Sequence, residues 1–248
     1  MKKGTVLVLV LILIIFNGYS QDISIVEKDN KSYTDLGADI VSSYVWRGLQ
    51  VDASPNIQGW GEFGNDFFSV GVWASSNFNG SYTEADVYAG FALGGFNVLL
   101  TDYFVGSDDF FNFDKNTTIH VAELALQYTI SDNFPLQFTF GTLIFGDDKQ
   151  ISSFDINGDP IFNKKNNFSS YIELMYTITH GDTEISCVAG GTTHESYFYS
   201  SERASIINLG VTASKEIKIT DNFSLPISFG LTVNPELESI YAVIGITL

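Results

Sequence analysis

Residues 223–233 read "FSLPISFGLTV", and every second residue of this stretch is a large apolar one. Between them stand Ser, Pro, Gly and Thr, which are small or polar. An alternation with a period of two places the two sets on opposite faces of a β-strand. The stretch therefore predicts a strand with one apolar face and one small or polar face.

The same alternation recurs along most of the chain, and helical periodicity is nearly absent. It is clear at residues 239–248, "SIYAVIGITL", and at residues 118–130, "TIHVAELALQYTI". Beyond the N-terminal leader, no apolar run approaches the ~20 residues that a membrane helix needs. We therefore predict twelve strands, at residues 36–49, 54–63, 67–76, 83–93, 96–105, 118–130, 135–145, 168–179, 183–194, 204–217, 223–233 and 239–248.

The connections between these strands alternate in length. Tight turns rich in Gly, Asn and Asp suit hairpins, and longer connections, several of them acidic, stand between the tight ones. An even number of antiparallel strands, with short turns at one end and longer loops at the other, is typical of an outer-membrane barrel. The sequence thus predicts an all-β fold, an antiparallel transmembrane β-barrel of about twelve strands. The tight turns are expected at residues 64–66, 94–95, 131–133, 180–182 and 220–222, and the longer loops at 50–53, 77–82, 106–117, 146–167, 195–203 and 234–238.

A soluble β-sandwich or jelly roll is the alternative fold, because it shares the period of two and the turns. Two features favour the barrel. The exposed face of a sandwich would carry Lys and Glu, whereas the second face here carries Ser, Thr, Gly, Tyr and isolated acids. The sequence also ends in an alternating strand with Tyr241 and Leu248. This ending is similar to the terminal assembly signal of outer-membrane barrels, although those more often end in Phe.

Residues 1–20 have the features of a secretory signal peptide. A positive start, "MKK", precedes an apolar core at residues 6–16, and Ser20 is a small residue of the kind that signal peptidase needs. An uncleaved anchor helix is the alternative, although the apolar core is shorter than the ~20 residues that span a bilayer. We expect cleavage before Gln21. Residues 21–248 are then a single barrel domain, in contact with lipid in the outer membrane of a Gram-negative-type bacterium.

The composition argues against several classes of partner and cofactor. A formal net charge of -17 does not suit nucleic acid, because phosphate binding needs a Lys and Arg surface. Cys187 is the single cysteine, so no intramolecular disulfide is expected, and we expect its side chain to be buried. The segment "DINGDP" at residues 155–160 fails as a calcium loop, since Gly158 is fourth rather than sixth. We predict no metal and no other cofactor.

Residues 42–50, "SSYVWRGLQ", place a cation in an apolar setting. With a period of two, Tyr44 and Trp46 share the lipid-facing side of the first strand, near the outer interface where such rings belong. Arg47 then points into the lumen, because an Arg that faces lipid costs ~2–4 kcal/mol at the bilayer midplane. There we expect it to pair with an acid, either to shape a constriction or simply to fill the barrel.

The same stretch, followed by Pro55 and Gln58, resembles the opening segment of the TorF-type porin family (Gcw_chp). The family pattern is Ser, an aromatic residue and then Arg-Gly, with Pro and Gln about ten residues on. This chain has Ser43 where the family often has Asp, and Trp46 where Phe is common. The resemblance implies an outer-membrane porin. The residues that carry it are Ser43, Tyr44, Arg47, Gly48, Pro55 and Gln58.

Carboxylates dominate the faces that the alternation assigns to the lumen. Arg47 opposes them, with Lys215 as a second candidate cation. Rings of Asp and Glu favour cations in a pore. We therefore interpret the chain as a porin-like channel for small solutes or ions, with a weak preference for cations. The predicted pore-lining residues are Asp39, Arg47, Glu62, Glu84, Asp86, Glu123, Glu173 and Glu184.

Two alternative functions remain beside the channel. A closed structural or surface-interaction barrel would be marked by aromatic side chains that fill the lumen. A hydrolase at the outer rim would use His120 or His194 as a base, with Ser196 and Glu195 close to the latter. No nucleophile motif accompanies these histidines, so we predict no enzymatic activity.

Overall fold

The computed structural model describes residues 32–220 and 223–248, which form β-strands joined by turns and loops. The predicted signal peptide, residues 1–20, lies outside the described residues. In chain order the strands are β1 (Tyr33–Val41), β2 (Tyr44–Trp46), β3 (Leu49–Asp52), β4 (Asn56–Gly64), β5 (Phe68–Asn77), β6 (Thr83–Leu93), β7 (Phe96–Phe104), β8 (His120–Ser131), β9 (Phe134–Gly146), β10 (Lys149–Phe154), β11 (Pro160–Asn166), β12 (Ser170–His180), β13 (Thr183–Thr192), β14 (Ser205–Thr220), β15 (Phe223–Asn234) and β16 (Ser239–Thr247).

Twelve of these strands close into one barrel. Their order around it is β1-β16-β15-β14-β13-β12-β9-β8-β7-β6-β5-β4, and every neighbouring pair is antiparallel. Strand β1 makes the closure, because Asp39 pairs with Thr247 of β16 on one side and with Gln58 of β4 on the other. The predicted all-β, antiparallel, twelve-stranded barrel is confirmed. Within the described ranges, no helix is long and apolar enough to cross a membrane.

The two faces of each barrel strand differ as the alternation predicts. In β15, Phe229 is 49% exposed on the outside, whereas its neighbour Ser228 is 8% exposed on the inside. Large apolar side chains on other strands are likewise exposed, among them Phe91, Leu124 and Ile244. An exposed apolar surface of this extent is costly in water and is typical of a barrel that meets lipid.

Two side chains face the outside against expectation. Cys187 is exposed on β13 rather than buried. It lies two residues from the outward Ile185 and therefore on the same face of the strand. Lys215 lies four residues from the outward Val211 and on the same face of β14. Its ammonium nitrogen lies 3.2 Å from the carboxylate of Asp182 in a tight turn. At the end of the barrel a long Lys side chain can reach water, so this outward position is tolerable.

The first predicted strand, residues 36–49, is wrong beyond Val41. The chain leaves the barrel wall after β1, and β2 and β3 form a separate hairpin. Its two turn residues, Arg47 and Gly48, have φ values of 49° and 83°. Two successive positive φ values are those of a type I′ hairpin turn, so the strand alternation cannot continue through this point.

A second hairpin, β10–β11, lies within the long loop predicted at residues 146–167. The carboxylate of Asp155 accepts the backbone N–H of Asn157 at 2.8 Å and that of Asp159 at 2.9 Å. The acid at the start of "DINGDP" therefore orders the tip of this hairpin through backbone hydrogen bonds.

Inward glycines let large side chains lie along the inner wall. A Cβ on Gly71 would lie 2.0 Å from Oη of Tyr88, and a Cβ on Gly190 would lie 2.1 Å from Oη of Tyr171. No side chain tolerates such a distance, so each tyrosine ring occupies the space that a glycine of the neighbouring strand leaves empty. The wall thus makes room for interior rings through its small residues.

Replacing Gly71 by Ala is expected to destabilise the barrel by roughly 1–3 kcal/mol, because the added methyl group must displace Tyr88. Gly59→Ala is the matched control, since a Cβ on Gly59 meets no atom closer than 3.9 Å. It should change the free energy of unfolding by about 0.5 kcal/mol or less. Urea unfolding of both variants in detergent micelles measures the difference, and equal effects would contradict the packing of Tyr88 over Gly71.

Candidate functional site

The β2–β3 hairpin crosses the barrel interior from one wall to the opposite one. It leaves the wall between β1 and β4, and its tip contacts β8 and β12. Each of these two strands lies five places from β1 around the barrel, one in each direction. We call residues 44–52 the lumenal hairpin, and its tip with the wall residues that hold it forms the candidate site.

A bidentate ion pair with Glu123 of β8 holds the guanidinium of Arg47. Nη1 donates to Oε1 at 2.6 Å, and Nη2 donates to Oε2 at 2.9 Å. Glu123 is 1% exposed, and Tyr103 of β7 donates its hydroxyl to Oε2 at 2.8 Å. Two parallel N–H···O bonds to one carboxylate hold the guanidinium in one orientation and also neutralise its charge.

Tyr199 is a second partner of the guanidinium. Nη1 of Arg47 donates to its hydroxyl oxygen at 2.7 Å. Tyr199 is fully buried in the loop that joins β13 to β14. Burial raises the pKa of Tyr199 above its usual value, so this phenol stays neutral. The negative charge at the hairpin tip therefore comes from Glu123.

Aromatic rings enclose the remaining sides of the guanidinium. Cζ of Arg47 lies 4.5 Å from the ring centroid of Trp46 and 4.7 Å from that of Tyr171 on β12. Trp46 in turn stacks on Tyr199, with centroids 5.8 Å apart and planes inclined by 17°. Trp46 also packs edge to face against Tyr103, with ring centroids 5.5 Å apart. A cation over such ring faces gains electrostatic energy that is larger where water is excluded.

The backbone at the tip fits its receptor closely. The carbonyl of Gly48 accepts a hydrogen bond from Nδ2 of Asn234 at 3.0 Å. A Cβ at Gly48 would lie 1.9 Å from the carbonyl oxygen of Ile207, and the φ of Gly48 is +83°. Both the turn and the close approach therefore require glycine at this position.

The base of the lumenal hairpin is anchored by Asp52. Its carboxylate accepts the N–H of Ser54 at 2.9 Å and the side-chain amides of Asn77 and Asn56 at 2.6 and 3.3 Å. Asn56 and Asn77 belong to β4 and β5, so this end of the hairpin is tied to the wall that it leaves. The hairpin is thus held at both ends.

A chain of hydrogen bonds ties Tyr199 to the long loops. Its N–H donates to Oγ of Ser196 at 3.1 Å, and the hydroxyl of Ser196 donates to Oγ of Ser169 at 2.7 Å. The hydroxyl of Ser169 donates to Asp148 at 2.6 Å. Burial raises the pKa of Asp148, and the hydrogen bonds from Ser169 act against this rise. The loops therefore help to position a partner of Arg47.

Tyr44 and Trp46 lie inside the barrel, so the expectation that they face lipid is wrong. The ring of Tyr44 packs against Trp73 and Tyr82, with centroids 5.4 and 6.0 Å apart. The cause is the departure of the chain from the wall after β1, which takes both strands of the hairpin into the lumen. Arg47 also lies inside, on a turn rather than on a barrel strand.

The residues of the quoted motif lie in the lumenal hairpin, in the short segments that flank it, or at the start of β4. Gln58, for example, is buried on the inner face and donates through Nε2 to Ser75 at 3.4 Å. The motif residues in this region are Ser43, Tyr44, Arg47, Gly48, Pro55 and Gln58.

Most of the predicted inward acids are buried on the inner wall. Those other than Glu123 accept hydrogen bonds from neutral donors, as Glu173 does from the hydroxyl of Tyr171 at 2.5 Å. Glu184 differs, because it is exposed at the tight-turn end of β13. The buried acids are Asp39, Glu62, Glu84, Asp86, Glu123 and Glu173, each 7% exposed or less.

These low exposures describe a narrow interior. A water-wide passage beside the wall would leave its side chains accessible, yet Trp60 and Tyr88 are also only 2% and 3% exposed. A cavity of about 20 Å³ beside Ser69 and Asn97 has room for about one water molecule. The lumenal hairpin and the inward rings therefore occlude most of the lumen in this conformation.

The two rim histidines are engaged without a serine partner among the described residues. His120 is fully buried, with Nδ1 2.8 Å from Asp102 and Nε2 2.7 Å from the carbonyl of Phe110. His194 contacts Thr193 through Nδ1 at 2.8 Å and the carbonyl of Asn167 through Nε2 at 3.3 Å. Neither arrangement presents a base to a serine hydroxyl, so the geometry gives the hydrolase hypothesis no support.

Four partners of the hairpin tip are missing from the predicted site residues. Tyr103, Tyr171 and Asn234 lie on the inward faces of β7, β12 and β15, and the alternation of these strands could have found them. Tyr199 lies in a loop, where a period of two gives no orientation.

Comparisons with known proteins give fold-level likenesses alone. No protein-family model matches this chain, and no curated protein matches it. A refined structure of porin is 15% identical with a TM-score of 0.40, over 83% of this chain and 65% of the porin. The COG4313 outer membrane channel from Pseudomonas putida F1 is 11% identical with a TM-score of 0.41, over 94% of this chain and 98% of that channel. At these values neither likeness bears on what this protein does.

Breaking the buried pair from either side is expected to cost ~3–5 kcal/mol of unfolding free energy, because the remaining charge is left without its partner. Arg47→Ala and Glu123→Gln should each show this loss, and the double variant should lose much less than the sum. Arg203→Ala is the matched control, since Arg203 is 78% exposed and lies 3.6 Å from Glu236. It should change stability by about 1 kcal/mol or less. Urea unfolding monitored by tryptophan fluorescence tests this, and additive losses would contradict a direct coupling.

Proposed function

We propose that this chain is an outer-membrane channel for small solutes or ions with a weak preference for cations. The observation that carries the proposal is a closed antiparallel barrel with an apolar outside and buried carboxylates inside. Hydrocarbon suits the outside, since closure leaves no unpaired strand edge. The signal peptide at residues 1–20 and the location in the outer membrane of a Gram-negative-type bacterium belong to the same proposal, as does membership of the TorF-type porin family.

The acids of the inner wall support the cation preference. Rings of Asp and Glu lower the energy of a cation in a pore, and the bore of twelve strands is intermediate between filled and wide barrels. The proposed pore-lining set is Asp39, Arg47, Glu62, Glu84, Asp86, Glu123, Glu173 and Glu184.

Buried polar atoms on one wall support a hydrated route. Trp60 Nε1 on β4 and Asn97 Oδ1 and Thr101 Oγ1 on β7 have no hydrogen-bond partner among the described residues. Buried groups of this kind are normally satisfied by water. Water on the β4–β7 side of the lumen would give a solute a polar path past the lumenal hairpin once the hairpin moves.

Planar-bilayer recordings of the refolded protein test the channel. We expect brief openings in the wild type, with a cation-to-anion permeability ratio above one. Arg47→Ala should raise the open fraction at least about tenfold. The variant loses the ion pair that holds the lumenal hairpin, and a loss of ~1.4 kcal/mol already shifts the equilibrium between docked and displaced hairpin by that factor. No conductance above background in either protein would contradict the proposed channel. The alternative would then be a closed structural or surface-interaction barrel, which the filled interior favours.

Glu84→Gln is expected to lower the cation-to-anion permeability ratio, because it removes a charge from the inner wall where Glu84 is 7% exposed. Asp132→Asn is the matched control, since Asp132 is exposed in the tight turn between β8 and β9 and is not in the proposed pore-lining set. Reversal potentials in a salt gradient give both ratios. A larger effect of the Asp132 variant would contradict the assignment of the selective region to the barrel interior.

A further inference from the structure

The groups that hold Arg47 belong to the barrel wall and one loop, and each of them also has a hydrogen-bond partner outside the lumenal hairpin. Glu123 lies on β8, Tyr171 on β12, and Tyr199 in the loop between β13 and β14. Tyr103 of β7 orients the Glu123 carboxylate through its hydroxyl at 2.8 Å. The wall and this loop therefore form a receptor for the guanidinium group of Arg47.

The receptor is complementary to a planar cation. Its carboxylate accepts two parallel N–H bonds, at 2.6 and 2.9 Å, which is the geometry that a guanidinium offers. The hydroxyl oxygen of Tyr199 accepts a third bond at 2.7 Å. The ring of Tyr171 lies 4.7 Å from the cationic carbon, a distance typical of a cation–π contact.

The charge around this receptor also favours a cation. Glu173 of β12 accepts the hydroxyl of Tyr171, the ring that Arg47 contacts, and is 7% exposed, with Asn208 as a second neutral donor. If Arg47 withdrew, the buried carboxylate of Glu123 would face the lumen without its cation. Such a site costs free energy until another cation enters.

We propose that the Glu123, Tyr171 and Tyr199 receptor is a binding site for the guanidinium or primary ammonium group of a small cationic solute, and that Arg47 is its internal competitor. This inference rests on the proposed channel and names the class of solute that it admits. Displacement of Arg47 frees the tip of the lumenal hairpin, so binding of the solute and opening of the lumen are the same event.

The competition sets how strongly a solute must bind. A tethered side chain acts at an effective concentration in the millimolar range or above. A simple cation at lower concentration therefore leaves Arg47 in place, whereas a solute with further contacts to the lumen displaces it. Removing the Arg47 side chain leaves the receptor without its competitor, and binding then becomes measurable with a minimal probe.

The probe is guanidinium chloride at about 20 mM, far below the molar concentrations at which it denatures proteins. We expect it to raise the thermal midpoint of the Arg47→Ala variant in detergent by about 2–4 °C above the value in 20 mM NaCl. The wild type, whose receptor is filled, should show no such rise. The Arg47→Ala, Glu123→Gln double variant is the matched control and should show none either. Equal midpoints in guanidinium and NaCl for folded Arg47→Ala would overturn the receptor.

A second measurement keeps Arg47 and does not depend on the folding of that variant. Leu49 packs against Tyr171, Tyr199 and Ile207, so a thiol there reports whether the hairpin is docked. In a Leu49→Cys, Cys187→Ala variant, 200 mM guanidinium chloride should speed maleimide labelling at least threefold over 200 mM NaCl. Equal labelling rates would overturn the competition. Neither readout measures conduction. Binding of guanidinium by a protein that does not conduct would therefore contradict the proposed channel and still support the receptor.

Discussion

The ion pair between Arg47 and Glu123 is the interaction on which the interior of this barrel depends. A guanidinium cannot lie buried in this occluded lumen without a charged partner, because the cost of its desolvation exceeds what neutral groups return. Glu123 supplies that partner at 2.6 and 2.9 Å. Trp46, Tyr171 and Tyr199 surround this pair, since each ring packs against the guanidinium or against another ring of the group.

The barrel wall provides the frame that makes this pair possible. Closure through β1 satisfies the backbone at both edges of the sheet, so the apolar outside carries no unpaired strand edge. Inward glycines such as Gly71 and Gly190 leave space for tyrosine rings on the neighbouring strands. The interior is consequently filled by side chains from the wall and by one inserted hairpin.

The barrel strands could be predicted because their information is local. A period of two in β15 and β16 gave the inward and outward sets, and Gly, Asn and Asp marked the tight turns. The first strand failed because apolar and polar residues kept alternating past Val41, although a two-residue turn at Arg47 and Gly48 between "YVW" and "LQV" is itself a hairpin signal. The partner of Arg47 could not be chosen among the inward acids, because contacts across a lumen join residues far apart in sequence, here 47 and 123.

The most direct test of the docked hairpin is the pattern of nuclear Overhauser effects from the Trp46 indole in detergent micelles. The ring centroids of Trp46 lie 5.5 Å from Tyr103 and 5.8 Å from Tyr199, so their ring protons are within range. The account predicts cross-peaks from Trp46 to both tyrosine rings, and their loss in the Arg47→Ala variant. Cross-peaks from Trp46 to detergent chains, with none to either tyrosine, would contradict it.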